Sequence, residues 1–268
     1  MMYTVNCSIL LTELPLLERP AAAKAAGFDA VEFWWPFPAP VPTDAEATAF
    51  GRAITDAGVQ LTGLNFDAGD MPGGDRGLLS WPARSAAFRD NIDAVLGIGA
   101  SLGCKAFNAL YGNRIDGESP EDQDDLAVAN LAAAAAKAAQ AGGTVLLEAV
   151  SGAPDYPLRT AEDAFAVIAR VKDLTGVENI RFLADLYHLS VNGDDVGAVI
   201  ERHVQDFGHV QIADSPGRGA PGTGTLPLAQ WILRSRELGY SGRIGLEYKE
   251  PMISAFDWMR GARPPVAP

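Results

Sequence analysis

The chain has 268 residues, 48% of them hydrophobic, and a mean hydropathy of +0.04, which is ample material for the core of a globular protein. A formal charge of −13 and a pI near 4.6 disfavour a nucleic-acid backbone as partner, and any anionic small molecule would need local cations. Cys7 and Cys104 stand far apart without C-x-x-C spacing and read as buried thiols in a reducing compartment; no segment reaches the roughly 18 apolar residues of a membrane span and MMYTVNCSIL lacks a leader's basic and apolar regions, so no membrane partner and a cytoplasmic protein are expected.

Strand and helix patterns then take turns. Tyr3 to Ile9 alternates as a strand, and Leu16 to Ala26 follows as a helix that Pro20 starts or interrupts and Gly27 stops. Ala30 to Trp35 is the second strand; the proline-rich PFPAPVPT leads to a helix capped by Thr43 or Asp44 that ends before Gly58. Val59 to Phe66 is the third strand. It opens into a long glycine-rich loop, Asp67 to Trp81, and a loop of that length in a compact domain suggests a lid over a functional site. Helical periodicity resumes at Ala83 and runs to Leu102, Cys104 to Leu110 is the fourth strand, and Ser119-Pro120-Glu121 opens an alanine-rich helix to Gln140.

The second half repeats the scheme. Strands are expected at 144–150, 180–187, 208–213 and from Arg243 to Tyr248, with helices from Thr160 to Leu174, over 194–206 and from Leu228 to Leu238. About eight strand-helix units predict an α/β fold, a single TIM (β/α)8 barrel over residues 1–260 with a short tail at 261–268. A doubly wound open sheet fits less well, because no G-x-G-x-x-G follows the first strand and polar residues sit at the ends of many strands.

Those strand ends carry the chemistry. TVLLEAV ends a buried run on Glu148, a carboxylate too costly to bury without a metal, a cation or several donors. RFLADLYH presents Asp185 and His188, HVQIAD presents Gln211, and IGLEYKE presents Glu247. A solvated glutamate is the ordinary reading of one such end; four in succession argue against it. In a barrel these ends converge on one rim, where three carboxylates and an amide oxygen make a hard, all-oxygen set suited to Mg²⁺ or Mn²⁺. Such a site can move a carbonyl between neighbouring carbons, the metal stabilising an enediolate and a glutamate on each side relaying protons. His188 could hydrogen-bond a substrate oxygen and Arg218 could clamp a substrate carboxylate; Lys249 shares a strand face with Glu247, Glu32 and Trp34 are candidates for the pocket wall beside Trp35, and Asn65 and Asn108 end the third and fourth strands. A zinc-cluster phosphodiesterase is disfavoured, since only His188, His203 and His209 are present.

The chain resembles the hydroxypyruvate isomerases, a branch of the sugar isomerase and epimerase barrels that includes endonuclease IV. The likeness spans nearly the whole chain and is densest in NCSILLTELPLLERPAAAKAAGFDAVEFWWPF, AGDMPGGDRGLLSWPAR, VLLEAVS, HVQIADSPGR and GRIGLEYKE. It implies isomerisation of hydroxypyruvate to tartronate semialdehyde at a divalent-metal site, with Glu148 and Glu247 as the acid-base pair and Asp185 and Gln211 completing the metal shell. A small anionic oxo-acid or a sugar is then the expected partner, and a homo-oligomer is left open. Thr225 departs from the family's pattern, in which a glutamate follows the glycines of that loop.

Overall fold

A computed structural model describes residues 2–260; the expected tail at 261–268 lies outside the described residues. Eight strands, β1 (Tyr3–Asn6), β2 (Ala30–Phe33), β3 (Gln60–Asn65), β4 (Ala106–Asn108), β5 (Thr144–Glu148), β6 (Ile180–Asp185), β7 (Phe207–Ile212) and β8 (Ile244–Leu246), pair in parallel and in chain order. β8 pairs back onto β1, which closes the barrel. The main helices are α1 (Arg19–Ala25), α2 (Asp44–Ala57), α3 (Ser85–Leu102), α4 (Pro120–Gln140), α5 (Ala161–Thr175), α6 (Leu186–Val191), α7 (Val196–His203), α8 (Leu228–Glu237) and α9 (Asp257–Arg260). Among the described residues no helix is long and apolar enough to cross a membrane.

Local sequence sets the boundaries. Thr43 caps α2 in a capping box with Glu46, whose carboxylate accepts from the Thr43 amide at 2.8 Å, and Gly58 ends the helix at φ 66°. Thr160 and Asp163 form the same box at α5. The strands are shorter than the apolar runs in the sequence. β1 stops at Asn6, not Ile9; β5 stops at Glu148, not Val150; β8 stops at Leu246, one residue before Glu247. Each ladder ends at or beside the polar side chain that leaves it, because there the backbone turns into the loops of the barrel's C-terminal face.

Two short helices, α6 and α9, were not expected, and α6 bears on the site. Asp185 ends β6 and at once caps α6, its Oδ1 accepting from the amides of Tyr187 at 2.8 Å and His188 at 3.2 Å. The residues read as the end of a strand are therefore a tight strand-to-helix corner.

Apolar side chains fill the space between barrel and helices, with Phe66 packed on Phe88 and Phe107 at centroid distances of 5.5 and 6.3 Å. Inside the barrel the packing becomes polar. Gly245 on β8 makes room for it: a Cβ there would lie 2.7 Å from both Gln211 Cγ and Glu32 Oε1. Each kind of packing fixes a different side of the strands, and the polar side holds the candidate site.

Candidate active site

Neighbouring strands deliver the polar groups in register. Asp185 lies beside Gln211 across β6 and β7, Gln211 beside Gly245 across β7 and β8, and Asn6 beside Glu32 across β1 and β2. Glu148, Asp185, His188, Gln211 and Glu247 are all at least nine-tenths buried. Carboxylate oxygens of Glu148 and Asp185 and a ring nitrogen of His188 lie within 4.8 Å of one another, so the two carboxyl groups can share one divalent metal with the imidazole beside it.

The supports of these side chains decide where their free atoms point. Because Asp185 spends Oδ1 on the α6 cap, Oδ2 faces the site, buried and without a hydrogen-bond partner. The amide nitrogen of Gln211 donates to Glu32 at 2.8 Å and to Glu247 at 3.4 Å, so its oxygen must face the other way, and it too has no partner. Asn108 donates to Glu148 at 2.6 Å. Trp34 and Asn6 donate to the same oxygen of Glu247 at 2.7 and 3.0 Å. Buried acceptor oxygens without donors are costly in isolation. Two of them, on residues that neighbour each other across β6 and β7, fit a hard divalent cation.

His188 plays a different part. Its Nδ1 accepts from the Ser151 amide at 3.0 Å, so the neutral ring carries its proton on Nε2, which stands 3.6 Å from Asp185 Oδ2. Burial, then the Arg218 charge, push the imidazole down to about 3, which keeps it neutral at physiological pH. It therefore offers an N–H to the site.

Electrostatics at the centre are dominated by crowding. Burial, then the charges of Glu247 and Asp185, raise the Glu148 carboxyl well above the usual range. Burial raises Glu247 to about 7 although Arg218 beside it opposes the shift, and burial raises Asp185 as well. Arg218 is ion-paired with Glu247, lies 3.6 Å from Asp185 Oδ2 and sits over the Tyr187 ring at 5.5 Å. Its backbone takes the left-handed φ of 55°, an uncommon conformation for a non-glycine residue that surrounding contacts must hold. Asp214 supplies that hold by accepting from the amides of Ser215, Gly222 and Leu226, while the Lys249 amide donates to the Arg218 carbonyl at 2.7 Å.

Above these groups opens a cavity of about 730 Å³, lined by Trp34, Asn65, His188, Arg218, Glu148, Glu247 and Lys249 among others. Three expectations change in detail. Arg218 faces the cavity but is engaged by carboxylates. Lys249 stands on the rim with an exposed side chain, beyond the end of β8 and so not on a shared strand face. Glu32, buried, lies below the wall in a closed network with His209 at 2.7 Å, Gln211 and Asn6 at 3.2 Å. Burial alone would depress His209, yet the Glu32 carboxylate outweighs it and raises the imidazole. Asn108 stands beneath Glu148, and Trp35 points to the Ala39 carbonyl and packs on Phe37.

Sequence reasoning passed over Asn6, Ser151 and Arg76. Asn6 ends β1 as Asn65 ends β3, but the alternating run to Ile9 placed it mid-strand and hid it from the strand-end rule; Ser151 and Arg76 lie in loops, where no periodicity marks them.

A closed parallel barrel with buried carboxyl groups at its C-terminal rim has the architecture of a TIM-barrel enzyme, and a family model described as "Xylose isomerase-like TIM barrel" matches residues 20–262. The chain belongs to that family. Within it, the chain is closely related to the hydroxypyruvate isomerases: it is 55% identical to a Streptomyces coelicolor protein named "Putative hydroxypyruvate isomerase", over 97% of this chain and 96% of that one. A 2-oxo-tetronate isomerase of Cupriavidus necator is 34% identical over 92% of each chain. Among solved structures, one described as an AP endonuclease, family 2, from Brucella melitensis superposes with a TM-score of 0.86 at 30% identity, over 98% of this chain and 99% of that one.

Proposed function

We propose that the protein interconverts hydroxypyruvate and tartronate semialdehyde by proton transfer between Glu148, Glu247 and the two carbons of the substrate. The observation that carries this reading is the pair of buried glutamates at one barrel mouth, Glu148 at the end of β5 and Glu247 one residue past β8, with burial raising both carboxyls. The 55% identity to the Streptomyces coelicolor protein supports the same substrate.

The reaction moves one hydrogen from C3 to C2 and one from the C3 hydroxyl to the C2 oxygen. The glutamate facing C3 takes its proton, an enediolate forms across C2 and C3, and the glutamate across the cavity returns a proton to C2. Burial raises both carboxyls, Glu247 to about 7, where it can serve as acid or base near neutrality, and Glu148 in the same direction. His188 donates its Nε2–H to a substrate oxygen, held in that tautomer by Ser151. Trp34 and Asn6 fix the Glu247 carboxylate, and Asn108 fixes that of Glu148. A divalent cation, Mg²⁺ or Mn²⁺ by the hardness of the donors, would be held by Asp185 Oδ2, Gln211 Oε1, Glu148 and Glu247, and when bound it stabilises charge developing on the substrate oxygens.

A second reading, isomerisation of a longer 2-oxo acid, is favoured by the cavity, whose 730 Å³ lies in the range that houses drug-sized ligands, and by the Cupriavidus necator relative. Turnover by Mn²⁺-loaded protein, compared across hydroxypyruvate, 2-oxo-tetronate and a ketohexose, decides between them. The first reading expects the highest kcat/KM on hydroxypyruvate; a higher value on 2-oxo-tetronate would replace it by the second.

A further inference from the structure

Three cationic side chains line the cavity, Arg76, Arg218 and Lys249, and they differ in what already holds them. Arg218 is engaged by Glu247 and faces Asp185. Lys249 is an exposed rim residue. Arg76, half-buried in the loop after β3, uses Nη1 to donate to the Met71 carbonyl at 2.9 Å and the Asp75 carbonyl at 2.6 Å. No carboxylate among the described residues pairs with it, and its Nε and Nη2 hydrogens are left facing no protein acceptor. In a chain of net charge −13, a half-buried guanidinium without an anion is a charge held ready for one.

The backbone at Arg76 is built to hold that position. The Arg76 carbonyl accepts from Gly112 at 2.9 Å, and the next residue, Gly77, bridges to Tyr111 and donates to the Ala68 carbonyl at 3.0 Å. Gly77 has φ 110°, and a Cβ on it would lie 2.0 Å from the Leu110 carbonyl oxygen, so only glycine allows this close seam between the two loops. The arginine thus projects from a clamped corner.

Charge balance gives it a task. On the floor of the site the one cationic side chain, Arg218, is already ion-paired with Glu247 and lies 3.6 Å from Asp185 Oδ2, with Glu148 as a third acid beside them, so it is committed to the protein's own carboxyl groups. A substrate carboxylate then adds a charge that nothing on the floor compensates.

We propose that Arg76 recognises the carboxylate of the substrate through its free Nε and Nη2 donors, while Arg218 stays with Glu247 and Asp185 as the counter-ion of the acid-base pair. A planar carboxylate matches that two-pronged edge of the guanidinium. The assignment rests on the isomerase reading and makes Arg76 a specificity residue for 2-oxo acids.

Hydroxypyruvate and dihydroxyacetone test it, because they differ only in a carboxylate against a CH₂OH group. In Mn²⁺-loaded full-length protein, Arg76→Ala is expected to raise KM for hydroxypyruvate by roughly 10- to 100-fold, the scale of a lost charge-assisted hydrogen-bond pair, with kcat nearly unchanged and KM for dihydroxyacetone unmoved. Arg76→Lys should recover part of the loss. Calorimetric binding of glycerate, an unreactive carboxylate, should weaken by the same factor. Equal shifts for both substrates, or no shift for hydroxypyruvate, overturns the assignment. Should Arg76→Ala lose its native circular dichroism, Arg76→Gln, which keeps a donor for the two loop carbonyls, takes its place. If the wild type turns over neither substrate, the isomerase reading fails by itself, and glycerate binding still decides the role of Arg76: loss in the variant supports it, while retention, or no binding by the wild type, overturns it.

Discussion

Glu148 is buried beside two other carboxylates with only an asparagine donor on it. Because its pKa in the folded protein is raised, the fold tolerates the protonated form and resists the charged one. The penalty is absent below the ordinary carboxylate pKa, near 4.5, and grows as pH climbs toward the raised value. Glu148→Gln, which keeps an oxygen for Asn108, should therefore raise the melting temperature of the metal-free protein at pH 8, at about 2–4 °C for each kcal/mol relieved in a chain of this size, and leave it unchanged near pH 4.5. Thermal unfolding at both pH values checks this. Arg218 gives the complementary prediction. It stands among the carboxylates that would hold the cation, so Arg218→Gln should tighten Mn²⁺ binding by roughly tenfold or more, given about 4 kcal/mol between unit charges 4 Å apart near a protein surface. Calorimetric Mn²⁺ titration reads the change; weaker binding in the variant would remove Arg218 from its role as resident counter-ion.

Among the elements, the loop from Asp67 to Trp81 was marked by length and glycine content as a loop at the functional site, and Met71, Pro72 and Arg76 do line the cavity, but its internal division was not legible. Its second half is anchored, with Gly77 bridged to Tyr111 and Leu78, Leu79 and Ser80 buried, whereas Met71 and Pro72 stand over the cavity. Hydrogen exchange should slow across residues 69–75 on saturation with hydroxypyruvate and stay constant across 77–81; protection confined to the second half would contradict this division. At the barrel interior, Gly245→Ala should cost about 1–3 kcal/mol in a denaturant titration, the scale of an overpacked core, because the new methyl meets Gln211 and Glu32 at 2.7 Å. Strand ends were harder to read. Val150, Leu186 and Tyr248 continue the apolar runs of β5, β6 and β8, yet they belong to the loops and the short helix beyond them. Hydropathy reports burial, and the rim of this barrel buries its loops as thoroughly as its strands.

For the whole molecule, repetition made the fold readable: eight alternating units leave few alternatives to a closed barrel. The same repetition exposed Glu148, Asp185, Gln211 and Glu247, since a polar residue at one fixed place in each unit is a pattern that a single motif cannot make. Which atom of each side chain faces the site was hidden, because it depends on supports distant in sequence. Glu32 turns Gln211 from 179 residues away, and Trp34 holds Glu247 from 213. The central claim is that Glu148 and Glu247 exchange protons with carbon. It is tested most directly by NMR of hydroxypyruvate turning over in D₂O with Mn²⁺-loaded enzyme that is exchanged into Mg²⁺ for observation. The wild type should incorporate solvent deuterium at C3 of recovered substrate or at C2 of product, and Glu148→Gln and Glu247→Gln should each lower turnover and exchange by roughly 10²-fold or more. Near wild-type exchange in either variant would contradict the two-glutamate mechanism.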